Sequence, residues 1–247
     1  MERNWRDSLR RIWAHSFSWL GGNKMLKWYI SGHEMSSNGV YIATGYTVTS
    51  APISRSVYSG GCASYVATKA KIGLKTLKLP VRIVQDTTDN ADSIRSWALS
   101  LCLGSEVDIA LPNGKRYVAA LTSTGEVEKF AEGVIDFTLE FAGYQRGELV
   151  MAQTPNVMCF STVPETPFKI TATVAAAGSF SMAGVTFTKC AVGDVLVIDG
   201  LNGKLTKNGS AVLIADTDFV SFPVLSPGHN TVNCTANAMV EYYPIFM

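Results

Sequence analysis

Side-chain catalysis needs a nucleophile held against a base, a metal cluster or paired carboxylates, and the 247 residues offer little of this at workable spacing. The three histidines, His15, His33 and His229, are scattered along the chain. His229 sits inside Pro227-Gly228-His229-Asn230 and reads as a turn residue, not a general base. There is no Gly-x-Ser-x-Gly, His-Glu-x-x-His or Walker loop. Asp194, Asp199, Asp216 and Asp218 are the acids that could suggest calcium. Their spacing is not that of an EF-hand loop, and aspartate at strand ends and turns is routine. Glu126, Glu128 and Glu132 around Lys129 read as a solvated loop. The five cysteines, at 62, 102, 159, 190 and 234, are odd in number and contain no Cys-x-x-Cys, which argues against a disulfide framework or a zinc site. They read as buried free thiols. The residues therefore point to no catalytic centre, metal or cofactor.

Composition narrows the classes further. Hydrophobic residues make up 47% and charged residues only 17%, so there is much to bury and little to solvate it, which fits a surface partly covered by partners. Lys plus Arg is 21 and Asp plus Glu 20, so no global basicity recommends nucleic acid as a partner read by sequence. No apolar run is long enough for stable membrane insertion.

Residues 1–24 carry Trp5, Leu9, Ile12, Trp13 and Leu20 at helical spacing with Arg3, Arg6, Arg10 and Arg11, and read as an amphipathic extension outside the main domain. Strands are expected at Trp28–Ile30, Tyr41–Thr44, Tyr46–Thr49 and along 73–84. In the last, Leu77, Leu79, Val81 and Ile83 alternate with Lys78, Pro80 and Arg82. Pro80 lacks a ladder donor and suggests that this strand is a sheet edge or carries a bulge. Between these strands the Ser- and Gly-rich stretch 50–68, with Arg55 and Tyr58, reads as an exposed hairpin or arm. Asp89-Asn90 offers an N-cap for a helix over 91–103. Ile94, Trp97, Ala98 and Leu101 form its stripe, and Gly104 its C-terminal cap. A hairpin turns through Pro112-Asn113-Gly114. A final alternating strand spans 134–142.

A polar stretch with Pro155, Pro164 and Pro167 marks 146–167 as a linker, so the domains are expected at 25–145 and 168–247. In the second, short apolar runs at 195–197 and 212–214 are separated by Asn202-Gly203, Asn208-Gly209 and Pro227-Gly228. Asn-Gly tolerates positive φ at both positions of a tight hairpin turn, so this half reads as an antiparallel sandwich.

The order of these signals is more specific than their period. Ile198-Asp199, Asn208-Gly209, Phe222-Pro223, Leu225, Pro227-Gly228, Asn230 and a closing aromatic strand follow one another as they do in the C-terminal domain of the distal tail proteins of long, non-contractile-tailed bacteriophages. The chain resembles that family, closely over about fifty-five residues and by element order before them. The resemblance implies a mainly β chain: an N-terminal β-barrel or sandwich with one helix and a projecting hairpin, then a galectin-like antiparallel sandwich. It further implies a hexameric ring in the virion tail tip, made in the host cytoplasm. That ring would join the tail tube protein to the hub and receptor-binding proteins around a channel for the genome. Arg55, Tyr58, Asn113 and Gly114 are then candidate ring contacts. Two other readings stay open: a carbohydrate-binding adhesin module stacking sugars on Trp28, Tyr242 or Tyr243, and a hydrolase with paired carboxylates.

Overall fold

A computed structural model describes residues 27–247 except 44, 55, 61–63 and 68–70. The extension 1–24 and Arg55 thus lie outside the described residues, and Tyr58 is placed by its backbone alone. The chain begins with β1 (Tyr29–Ile30), β2 (His33–Glu34), β3 (Val40–Ile42) and β4 (Thr47–Val48). An out-and-back run follows: β5 (Ile53–Ser54), β6 (Val57–Gly60), β7 (Ser64–Ala67) and β8 (Lys71–Ile72). Then come β9 (Lys75–Val84), helix α1 (Thr88–Ser100), β10 (Val107–Ala110), β11 (Arg116–Thr124), β12 (Glu128–Ala131) and β13 (Val134–Arg146). The second half opens with β14 (Val150–Gln153), β15 (Asn156–Cys159), β16 (Thr166–Thr173), β17 (Gly178–Met182), β18 (Val185–Cys190) and β19 (Val195–Asp199). It closes with β20 (Lys204–Lys207), β21 (Ser210–Ala211), β22 (Val224–Leu225), β23 (Gly228–Thr231), β24 (Ala238–Tyr242) and β25 (Ile245–Phe246).

The first sheet is antiparallel, in the order β2-β1-β10-β11-β13-β9-β3, and curls over α1. Alternation explains its core. Leu77, Leu79, Val81 and Ile83 of β9 face Phe141, Leu139, Phe137 and Ile135 of β13 in register, and all eight are buried. The opposite face is a ladder of cross-strand ion pairs: Arg82 donates to Asp136 at 2.7 and 2.5 Å, and Lys78 to Glu140 at 2.5 Å. Helix α1 reaches the core through its smallest residues, Ala91 and Ala98, while Ile94, Trp97 and Leu101 pack at the margin.

The helix begins three residues earlier than expected. Thr87, not Asp89 or Asn90, is the N-cap, accepting from the Asn90 amide at 3.2 Å. Asp89 sits in the first turn, where a carboxylate complements the helix dipole. The helix ends at Ser100, so Gly104 is not its cap.

The long strand is also not an edge. β9 pairs with β13 along its length and, on the other side, with β3 and β4. Pro80 fits this interior place because β3 stops opposite Val81 and β4 resumes opposite Lys78. Its carbonyl still accepts from Ala43 at 2.8 Å, and the missing N–H falls in the gap.

The stretch 146–167 is not connecting chain. It carries β14, which pairs with β24, and β15, which pairs with β23. A seven-stranded sheet in the order β14-β24-β16-β19-β20-β21, with β22 also on β16, forms one layer of the second half. The β15-β23 and β17-β18 pairs form the other, joined by Ala183 donating to Asn233 O at 2.8 Å and Thr235 to Ser181 O at 2.8 Å. Between them lie Phe168, Ile170, Phe180, Phe187, Leu196, Ile198, Val240 and Tyr242. The apolar run 212–214 is not a strand; it leads into a 3-10 turn, Ile214–Asp216.

Tyr242 joins the layers. Its ring is fully buried, its hydroxyl donates to Met158 O at 2.6 Å and accepts from the Phe160 amide at 3.2 Å. Tyr242→Phe strands both backbone partners and is expected to cost about 1–3 kcal/mol, read as a lower urea midpoint at unchanged slope.

The two halves are laced together at the chain's last residues. β25 returns to the first sheet, pairing Ile245 with Arg146 and Phe246 with Gln145 of β13. Its other side takes Thr162, whose amide donates to Ile245 O at 2.9 Å.

Candidate assembly surfaces

The residues of the C-terminal signature each anchor a piece of backbone. Asp199 accepts from the amides of Leu201 and Asn202 at 3.1 and 3.0 Å and from Asn202 Nδ2 at 2.8 Å. It thereby organises a four-residue loop, so Asn202-Gly203 is not a two-residue hairpin turn; only Gly203 takes positive φ there. Asn208-Gly209 is such a turn: φ is 52° and 80°, and Lys207 pairs directly with Ser210. Phe222 packs edge-on to Phe219 at 4.7 Å and leads through Pro223 into β22, where Leu225 is buried opposite Thr166. Gly228 takes φ 90° after Pro227. Asn230 closes that turn, accepting from the Ser226 amide at 2.9 Å and donating to Ser226 O at 2.7 Å. His229 lies on β23, opposite Met158. The structure brings the Asp199 loop near Phe222, with Gly200 donating to Phe168 O at 3.0 Å, but Asn208 and Asn230 lie at other turns. These residues build a fold and do not converge on a pocket.

The acids behave the same way. Asp216 pairs with Lys189 at 2.6 Å, and Asp218 accepts from the Thr186 amide at 2.5 Å. Asp194 accepts from the Ala191 amide at 2.8 Å, from Lys207 at 2.9 Å and from Asn208 Nδ2 at 2.8 Å. Among the described residues no three His, Cys, Asp or Glu stand where they could share a metal ion. The backbone amide of Ala191, then Lys207 and Asn208, hold the Asp194 carboxyl down from 3.8 to about 2. The unfolded chain therefore takes up this proton at higher pH than the folded one. The stabilisation is complete above about pH 4 and is lost as pH falls toward about 2. Asp194→Asn is expected to be less stable than the parent at pH 6, with the gap closing on acidification through that window in thermal melts.

Of the cysteines, Cys102, Cys159 and Cys190 are buried and free, Cys234 is half-buried, and Cys62 lies outside the described residues. Burial pushes the Cys102 thiol up to about 11, which leaves it inert as a nucleophile at neutral pH. Two aromatics offered for sugar stacking are not available for it. Trp28 is buried with its indole N–H donated to Val40 O at 2.9 Å, and Tyr242 is buried as described. Tyr243 lies under the Arg146 guanidinium at 5.0 Å.

The arm lies outside both cores, and its described residues form a paired ribbon. Its ladder continues that of β4 and β9: Thr49 donates to Thr76 O at 2.9 Å, Gly73 to Pro52 O at 2.8 Å, then β5 pairs with β8 and β6 with β7. From β5 onward, among the described residues, its strands pair only with each other. The ribbon is about 40 Å long at the usual rise per residue. A two-stranded ribbon is marginal in water without a surface to cover it. At its root an apolar groove of about 450 Å³ is lined by Ile72, Leu74, Val163, Pro164, Ile245 and Met247. The second expected contact, the 112–114 hairpin, forms with Gly114 at φ 81°. Asn113 is engaged within the chain, donating to the Tyr46 hydroxyl and accepting from the Lys115 amide at 3.1 Å.

Sequence reasoning missed β12. The acids read as a solvated loop lie on or beside a strand that pairs with β13 across a two-residue turn, Glu132-Gly133, with Gly133 at φ 75°. That Glu-Gly turn before an alternating run was the available signal. All four β12 residues are exposed, and Phe130 is 61% exposed.

No family model matches the sequence, and no curated protein matches it. Among solved structures, the chain is similar to SPP1 Dit (gp 19.1), a protein described as a paradigm of the hub adsorption apparatus in phages infecting Gram-positive bacteria. The TM-score is 0.66 at 13% identity, over 90% of this chain and 99% of that one. It is also similar to chains of the phage P2 baseplate in its activated conformation. With Ca the TM-score is 0.53 at 10% identity, and with Sr 0.53 at 9%, each over 88% of this chain and 97% of the other. At these identities the likeness is one of fold. It spans both halves, in keeping with the mainly β architecture expected from the sequence.

Proposed function

We propose that the chain is a structural protein of a phage tail tip, a distal tail protein that assembles into a closed six-membered ring. The observation that carries this reading is the whole-length likeness in fold to a phage adsorption-hub protein, both halves included. The ordered C-terminal signature and the self-paired arm support it independently. In this reading the first sheet makes the ring, and the galectin-like second half projects toward host-recognition proteins. The tail tube and hub proteins bind the two faces, around a channel for the genome. The acids at turns and the buried aromatics leave the hydrolase and sugar-binding readings without an observation in their favour. Among the described residues no helix is long and apolar enough to cross a membrane.

Light scattering and negative-stain images of the purified protein, alone and with its tail partners, test the proposal. The expected species is a ring of six chains. A strictly monomeric protein at high concentration and in the presence of those partners would overturn it.

A further inference from the structure

We infer that residues 1–24 dock, on their own chain, in the apolar groove at the root of the arm. The contact lies within one chain and needs no ring. Three parts of the molecule meet at this groove: Ile72 and Leu74 at the arm's root, Tyr144 of β13, and Pro164 of the second half beside Ile245 and Met247. Leu74 is 50% exposed in this apolar setting. At about 450 Å³ the groove has room for a few large side chains, not for a folded partner.

The chain ahead of the described residues supplies such side chains. Trp5, Leu9, Ile12 and Trp13 stand at i, i+4, i+7 and i+8, the spacing of one helix face, and Arg3, Arg6 and Arg10 fall on the other side. Four large apolar side chains in one stripe gain most by leaving water together. As a helix, the stripe is about 12 Å long.

Register brings this segment to the groove. Tyr29, Ala110, Arg116, Arg146 and Ile245 stand in one row across β1, β10, β11, β13 and β25. Four strand spacings put Tyr29 within about 19 Å of Ile245, and the curl of the sheet shortens this. Residues 21–28 can span about 26 Å, so a helix that stops at Gly21-Gly22 can lie along the groove. The exposed apolar pair Phe130 and Val84 lies at the far end of β13, about 40 Å from the row and beyond that connection. Charge agrees with this placement. Glu165 lines the groove, and Glu148 adjoins it next to Gly147, whose amide donates to Pro244 O at 2.7 Å. The extension carries four arginines and Lys24 against Glu2 and Asp7. Docked there, it ties the arm's root to both halves of the chain.

Hydrogen exchange on the full-length protein tests this from both sides. In the parent, the amides of 5–13 are expected to exchange at least about tenfold more slowly than an unstructured chain. Leu74→Asp, at an exposed position outside both cores, should return them to the unstructured rate. Leu9→Asp with Ile12→Asp should in turn quicken exchange at 72–74 and 245–247 while the thermal midpoint holds. Unstructured rates at 5–13 in the parent would overturn the inference. So would protection there that Leu74→Asp leaves unchanged, which puts the segment elsewhere. Protection lost when the parent is diluted to single chains assigns the segment to a neighbouring copy. Protection that arises only with anionic phospholipid vesicles assigns it to a membrane surface, and either result also overturns the inference. Protection that persists in a monomeric parent and yields to Leu74→Asp supports it, whatever becomes of the ring.

Discussion

Gly143→Val is expected to destabilise the protein by about 3 kcal/mol or more, at the upper end of what overpacking costs. Gly143 lies on β13 between Ala119 of β11 and Lys75 of β9. A Cβ there would sit 2.2 Å from Val118 O, 2.4 Å from Ala119 Cβ and 2.5 Å from Ala119 Cα. None of these atoms can swing aside as the end of a long side chain could. Relief requires parting β11 from β13, the ladder that carries the middle of the first sheet. Against a total stability of roughly 5–15 kcal/mol, such a loss leaves a marginal or unfolded chain. Urea denaturation measures it, and a midpoint within experimental error of the parent would show that the ladder yields more easily than argued.

Removing the arm is expected to do the reverse, abolishing assembly while sparing the fold. Ala51 and Leu74 stand opposite each other in the continued register, so Asn-Gly can replace residues 52–73 as a two-residue turn. No described residue of 49–74 belongs to the first core. The thermal midpoint should therefore hold, with a change of at most about 0.5 kcal/mol for a surface alteration. The mass in solution should fall from the ring to the single chain of 26.6 kDa. Rings that form without the arm would place the ring contact elsewhere, and a lost fold would show that the arm shields the groove beneath Leu74.

The sequence by itself determined what depends on neighbours along the chain. Alternation in 75–84 and 134–142 revealed two buried faces before any pairing was known, because side chains on a strand point to opposite sides with a period of two. Asn208-Gly209 announced its own turn, since both residues accept positive φ. The stripe of α1 was legible from the 3.6-residue period, but its cap was not. Thr87, Asp89 and Asn90 are all capping residues, and only the direction of the approaching chain selects among them.

The tertiary structure decided whatever depends on which strand lies beside which. Pro80 suggested an edge because proline lacks a donor; the sheet instead places it where β3 and β4 leave a gap. The polar, proline-bearing stretch 146–167 suggested a linker, yet β14 and β15 find partners some eighty residues later in β24 and β23. β12 was hidden because its charges obscure the alternation, and its pairing is settled by the long strand beside it. Nothing local marks Gly143 as irreplaceable; that follows only from the backbone of β11 lying against it. The direction in which the arm leaves the first sheet belongs with these, because only the pairing of β4 with β9, continued by β5 with β8, fixes it in space.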